Sequence, residues 1–146
     1  MQNLAEISPV LGVYDGGPRA FGNLLNARYA APMTGIGSDW TIERRGDSAV
    51  LKPSGRIDES TADAFKDFLL GAVSDGPTNA VIDLGGIDYM SSRGLRALTL
   101  AQRASQESGT TIVLAHPNDT MREILAISRY DMVFRVADSV EEALGH

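Results

Sequence analysis

The chain has 146 residues, 43% hydrophobic and 22% charged, with 19 acidic against 13 basic side chains and a formal net charge of −6. This fits one ordinary globular domain with residues to spare, and the acidic balance excludes the basic field that phosphate backbones require, so no nucleic-acid partner is expected. With no cysteine and only two histidines, His116 and His146, disulfides, thiol catalysis and a thiolate or His-rich metal centre are excluded, and no catalytic residue, metal or cofactor is expected.

Residues 1–38 are broken by Gly12, Gly16, Gly17, Gly22, Gly35 and Gly37 and by Pro9, Pro18 and Pro32, which interrupt long helices and strands. They read as an N-terminal extension ahead of a domain at 39–146. Two readings stay open for it: a loosely ordered tail, or an arm whose Val10, Leu11, Tyr14, Phe21, Leu24, Leu25 and Tyr29 dock on its own domain or on a second copy, giving a homodimer. The start, MQNLAEISPVLGVYDGG, lacks the basic opening and continuous apolar core of a secretory signal. No run approaches the roughly 20 apolar residues that span a bilayer. No membrane partner is expected, and the expected compartment is the cytoplasm.

From Trp40 the pattern becomes regular. WTIERR alternates as a half-buried strand does, Gly46-Asp47 turns the chain, and AVLKPSGRI forms a second strand, irregular at Pro53. Ser60-Thr-Ala-Asp63 resembles a capping box ahead of a helix with Phe65, Phe68, Leu69, Ala72 and Val73 on one face. AVIDL at 80–84 is a short buried-type strand. A helix over 93–107 follows and stops at Gly109. TTIVLA at 110–115 is another buried strand, with His116 before Pro117 in a turn. Thr120-Met-Arg-Glu123 opens a short helix, VFRV at 133–136 is a last strand, and Ser139-Val-Glu-Glu142 caps a terminal helix. The order β-β-α-β-α-β-α-β-α predicts an α/β fold, a mixed sheet with helices packed on it.

The chemistry concentrates where YMSSRGL joins the AVIDL strand to the next helix. Ends of strands in such sheets are where sites form. Ser92 fits the N-cap of the 93–107 helix, a structural role that needs no function. Three features point further. Gly94 lies in the first turn, where glycine is unfavourable and leaves the backbone open to close approach. A phosphate on Ser92 would meet free N–H groups and the positive end of the helix dipole. Arg93, Arg96 and Arg103 fall within roughly 80° of one another, with Leu100 among them and Leu95, Leu98 and Ala101 turned to the core. A serine-hydrolase elbow would read G-x-S-x-G, and the local string is Y-M-S-S-R-G.

VIDLGGIDYMSSRGLRAL resembles the signature of STAS domains, the fold of bacterial anti-sigma factor antagonists, with Asp83, Asp88, Tyr89, Met90, Ser91, Ser92, Arg93, Gly94 and Leu95 standing at its positions. LKPSGRID at 51–58 is similar to the family's strand ending in Gly-x-(Leu/Ile)-Asp, and ISRYDMVFRVADSVEEAL resembles its close. The resemblance covers about residues 40–145. It implies a STAS-like mixed sheet and a phosphorylation switch in a partner-switching pathway. An anti-sigma factor that is also a serine kinase of ATP-binding kinase fold phosphorylates the serine matching Ser92, and a serine phosphatase resets it. Asp58 matches the family aspartate beside that serine. The partner surface it implies comprises Asp58, Ser91, Ser92, Arg93, Gly94, Arg96, Leu100 and Arg103. The alternative within the fold is a scaffold subunit of a transporter or sensory complex that is not phosphorylated. Two positions depart from the pattern: Ser91 stands where Asp is common, and Arg93 where a small residue is common, placing a long cation to cradle a phosphate or obstruct a kinase.

Overall fold

The computed structural model describes residues 40–145. The expectations for residues 1–38, the docking arm and the homodimer among them, lie outside the described residues.

A five-stranded sheet runs in the order β1-β2-β4-β6-β7: β1 Thr41–Arg45, β2 Ser48–Lys52, β4 Asn79–Asp83, β6 Thr111–Ala115 and β7 Arg135–Ala137. From β2 onward every pairing is parallel, with Val50 level with Val81 and Val81 level with Val113. The continuous apolar strands are explained by cover on both faces. Val50, Val81, Val113, Ala115 and Ala137 form one face with Ala143, Val140 and Leu144 of the terminal segment. Alternation sends Leu51, Ile82 and Leu114, all fully buried, to the other face. There α1 Ala62–Ser74 and α2 Ser92–Ser108 pack mainly on each other, α1 also meeting β2 and α2 meeting β6. Two further helices, α3 Asp119–Ser128 and α4 Val140–Ala143, complete the domain.

The mixed α/β architecture and the order of its larger elements are those expected, with one addition that matters for the site. AVLKPSGRI is not one strand. Pro53 has no N–H for the ladder, β2 ends at Lys52, and Gly55, at φ 88°, turns the chain into β3 Gly55–Ile57. This short strand leaves the main sheet and pairs in parallel with β5 Ile87–Met90, a strand the apolar pattern does not announce. A bond from Gly55 N–H to Gly86 O (2.9 Å) starts the pair, and Ile57 lies level with Met90.

The caps also shift. α1 starts after Thr61, and Ser60 bonds Asp58 rather than capping. α3 is capped by Asn118, two residues before the expected Thr120: Asn118 Oδ1 accepts from Met121 N–H (2.9 Å). Its amide nitrogen donates to Ile87 O (2.8 Å), strapping α3 to β5. Ser139 caps α4 as expected, accepting from Glu142 N–H (3.0 Å). Because Asn118 both caps and straps, Asn118→Ala is expected to cost about 2 kcal/mol, the upper end for a cap. Urea denaturation checks this; a loss below half that value means the strap contributes nothing.

Candidate functional site

The β3–β5 pair ends where the sequence concentrates its polar chemistry. Ser91 N–H donates to Ile57 O (2.8 Å), so Ser91 still belongs to the strand pairing, and its backbone is extended at φ −81°, ψ 176°. The helix can begin only at the next residue. Ser91 is therefore the N-cap, its carbonyl accepting from Leu95 N–H (3.0 Å), and Ser92 is the first helical residue. This corrects the placement of Ser92 as the cap. The Ser92 side chain is exposed and has no capping duty. Ser91 Oγ makes no cap bond; it is hidden from solvent without a hydrogen-bond partner, so the Ser91 hydroxyl offers nothing to an incoming surface.

Gly94 is buried. A Cβ there would lie 2.5 Å from Met90 Cγ and 2.7 Å from Ile57 Cγ2. Its missing side chain lets the first turn of α2 close onto β3 and β5. The close approach expected at Gly94 is thus made by the protein's own interior, and Gly94 shapes the site from beneath instead of forming part of its surface. Arg93, Arg96 and Arg103 are exposed, Leu100 is half-buried, and Leu95, Leu98 and Ala101 are buried, the division that helical spacing predicts.

Asp58 follows β3 directly, and the Ile57–Met90 register brings it level with Ser91. Its carboxylate accepts from Ser60 Oγ (2.8 Å), Ser60 N–H (2.9 Å) and Arg56 Nε (3.1 Å). The Ser60 hydroxyl above all, then the Ser60 amide, hold the Asp58 carboxyl below the usual carboxylate value; desolvation opposes them, and the Arg56 guanidinium adds a lesser lowering. Asp58 is therefore an anion at neutral pH, with its oxygens already engaged.

Sequence reasoning names Tyr89 in the signature but misses Arg56 and the contact between the two. They are level in the register, and the Arg56 guanidinium lies 4.3 Å from the centre of the Tyr89 ring, a cation–π contact. Only the unforeseen strand pairing brings them together; the signal was the Gly-x-Ile-Asp element, whose variable position is Arg56. His116 is exposed in a turn, as expected, at φ 58° with Nδ1 3.1 Å from Asp83 Oδ1. Among the described residues no three metal-ligating side chains cluster, and no helix is long and apolar enough to cross a membrane.

Taken together, the arrangement presents one exposed hydroxyl on a fixed helix start, an engaged carboxylate at the end of the paired strand β3 and three arginines along the same helix. The profile of the family described as "Mlab, STAS domain" matches residues 40–136. The chain belongs to the STAS domain family. BtrV of Bordetella bronchiseptica is 33% identical to this STAS protein over 103 residues, 70% of this chain and 89% of its own. RsfB of Mycobacterium tuberculosis, named an anti-sigma-F factor antagonist, is 32% identical over 104 residues, 71% of this chain and 84% of its own. The crystal structure of an anti-sigma factor antagonist from Mycobacterium paratuberculosis superposes with a TM-score of 0.63 at 26% identity, covering 72% of this chain and 89% of that one. The STAS fold read from the YMSSRGL and GRID strings is thus the fold of the chain.

Proposed function

We propose that this STAS protein is an anti-sigma factor antagonist, a binding protein whose docking is switched by phosphorylation of Ser92. In this reading the partner is an anti-sigma factor with a serine kinase of ATP-binding kinase fold, and a serine phosphatase restores the unmodified form. The observation that carries the reading is the exposed Ser92 hydroxyl, one residue inside α2 and free of capping. The names of its relatives and their similar length support it. The chemistry is a charge change: a phosphoserine adds about −1.5 to −2 charges at neutral pH. Asp58, already ionised, lies level with Ser91, the preceding residue. Docking on Asp58, Ser92, Arg93, Arg96, Leu100 and Arg103 would then bury a dianion, and no movement of the backbone is required. Arg93, the long neighbour, would meet the phosphate first.

The test is incubation of the full chain with the kinase-type partner and ATP. Intact-mass and peptide mass spectrometry should find one phosphate, on Ser92, and none on Ser92→Ala. A phosphate elsewhere, or none, defeats the proposal. A second reading, a constitutive scaffold subunit of a transporter or sensory complex, is favoured by the arginines of α2, which offer a docking face that does not involve Ser92. A pull-down of a transporter ATPase that tolerates Ser92→Asp would select it.

A further inference from the structure

Among the described residues, the large apolar side chains left exposed are Tyr89, Ile127, Met132 and Val133. Tyr89 lies against Arg56. The other three fall within seven residues, at the end of α3, in the 3-10 turn Tyr130–Met132 and directly after it, and are 76%, 78% and 58% exposed. Isolated exposed apolar residues need no explanation, whereas a cluster marks an interaction surface.

This cluster is held in place. Arg129 ends α3 in the left-handed region at φ 67°, its N–H bonded to Ala126 O and Leu125 O. Val133 N–H and Phe134 N–H both donate to Tyr130 O, at 3.0 and 2.9 Å. The Tyr130 ring stacks on buried Phe134 at 6.1 Å, and its hydroxyl lies 2.8 Å from Thr99 Oγ1 on α2. That last bond joins the apolar turn to the helix that begins with Ser92. Thr99 sits three residues after Arg96 and four before Arg103, spacings that put all three on one helix face.

The charges around this corner say what fits it. Arg93, Arg96, Arg103 and Arg129 are exposed and take no ion pair among the described residues. Glu107 is the one acid in α2, so an arginine-bearing face rises on a chain of formal net charge −6. Two exposed acids lie nearest the apolar residues in sequence, Glu123 on α3 and Asp131 in the turn, against the four arginines; the balance is cationic, and an apolar strip in a cationic setting complements an apolar ridge bordered by carboxylates. The reach from Arg96 to Arg103 along α2 is about 10 Å, two turns of a second helix. An anionic membrane meets the same local chemistry but repels an acidic chain at long range.

We infer that Ile127, Met132 and Val133, with the Arg96–Arg103 face of α2, form a docking surface for an acidic amphipathic helix of the protein that reads Ser92. The inference rests on the proposed function only for the identity of that protein. The surface acts as a second anchor: Ser92 decides whether docking is allowed, and the apolar turn supplies affinity in the allowed state.

The test titrates the full ¹⁵N-labelled chain, unmodified, with an 18-residue helical peptide carrying a leucine stripe flanked by glutamates, and with its lysine-flanked counterpart. Expected are amide shifts at Thr99, Leu100, Ile127, Tyr130, Met132 and Val133 with the acidic peptide alone. Met132→Glu and the pair Arg96→Glu, Arg103→Glu should each weaken binding tenfold or more while the spectra stay dispersed; these sites are exposed, so folding is retained. No binding, or equal binding of the lysine peptide, overturns the inference. So does co-sedimentation with phosphatidylserine vesicles in place of peptide binding, or a concentration-dependent dimer in sedimentation that Met132→Glu abolishes, which would make a second copy the occupant. No phosphate is involved, so an absence of Ser92 phosphorylation and an absence of peptide docking are separate results.

Discussion

Ser92→Asp is expected to weaken binding of the anti-sigma-type partner by about a hundredfold, measured by calorimetric titration of the full chain. The substitution puts one negative charge on an exposed first-turn position that carries none. An unpaired charge buried at an interface costs about 2–5 kcal/mol, and about 2.7 kcal/mol is a hundredfold. The estimate is set near the lower end because exposed Arg93 and the positive end of α2 neutralise part of the charge. Phosphoserine, with up to twice the charge, should weaken binding further. Ser92→Ala removes the hydroxyl without adding charge and should lose no more than one hydrogen bond, about 1 kcal/mol. Affinity for the Asp variant within threefold of the native value would remove charge as the deciding quantity. So would an equal loss with Ala, which would make the hydroxyl itself the contact.

The second large effect is a pair of glycine substitutions with opposite signs. Both Gly71 and Gly94 lie inside helices, where alanine is favoured by about 1 kcal/mol. At Gly71 a Cβ meets nothing within 4 Å, so Gly71→Ala should stabilise by about that amount. At Gly94 the same methyl lands 2.5 Å from Met90 Cγ and 2.7 Å from Ile57 Cγ2, and Ile57 is fully buried. Overpacking of this kind costs about 1–3 kcal/mol, so Gly94→Ala should be a net loss of up to about 2 kcal/mol after its helical gain of about 1 kcal/mol. For a domain of this size the two melting temperatures should move several degrees apart, at roughly 4–8 °C per kcal/mol. Gly94→Ala should also weaken partner binding, because the first turn of α2 must lift to admit the methyl. A Gly94→Ala protein as stable as Gly71→Ala would mean that the helix start does not bear on β3 and β5.

What could be read from the amino acids alone follows from how far each signal reaches. AVIDL and TTIVLA are legible because strands covered on both faces are apolar without a break, and the 93–107 helix is legible because its buried face repeats over four turns. Its observed span, Ser92–Ser108, differs by one residue at each end. β5 escaped notice because four residues with a buried–exposed–exposed–buried pattern carry no period. Ser139 apart, the caps differ from expectation for another reason. Several residues in a row are chemically able to cap, and the choice among them is made by a distant partner: Ile57 O for Ser91, and Ile87 O for Asn118, 31 residues away. The Arg56–Tyr89 contact depends on the register of a strand pair that was not foreseen. The 127–133 surface was legible only in part, since whether Ile127, Met132 and Val133 face the core or solvent depends on the turn at Arg129.

The way Gly94 seats α2 on Met90 and Ile57 has a mechanical consequence. A group carried on a supple loop can swing aside when something approaches, and its charge is then diluted over many positions. Residue 92 rides on a mount bolted to the interior, so whatever it carries stays in the path of the visitor. Under the proposed switch, whatever repulsion Arg93 and the helix end leave would not be relieved by bending this molecule; it would fall on the other one.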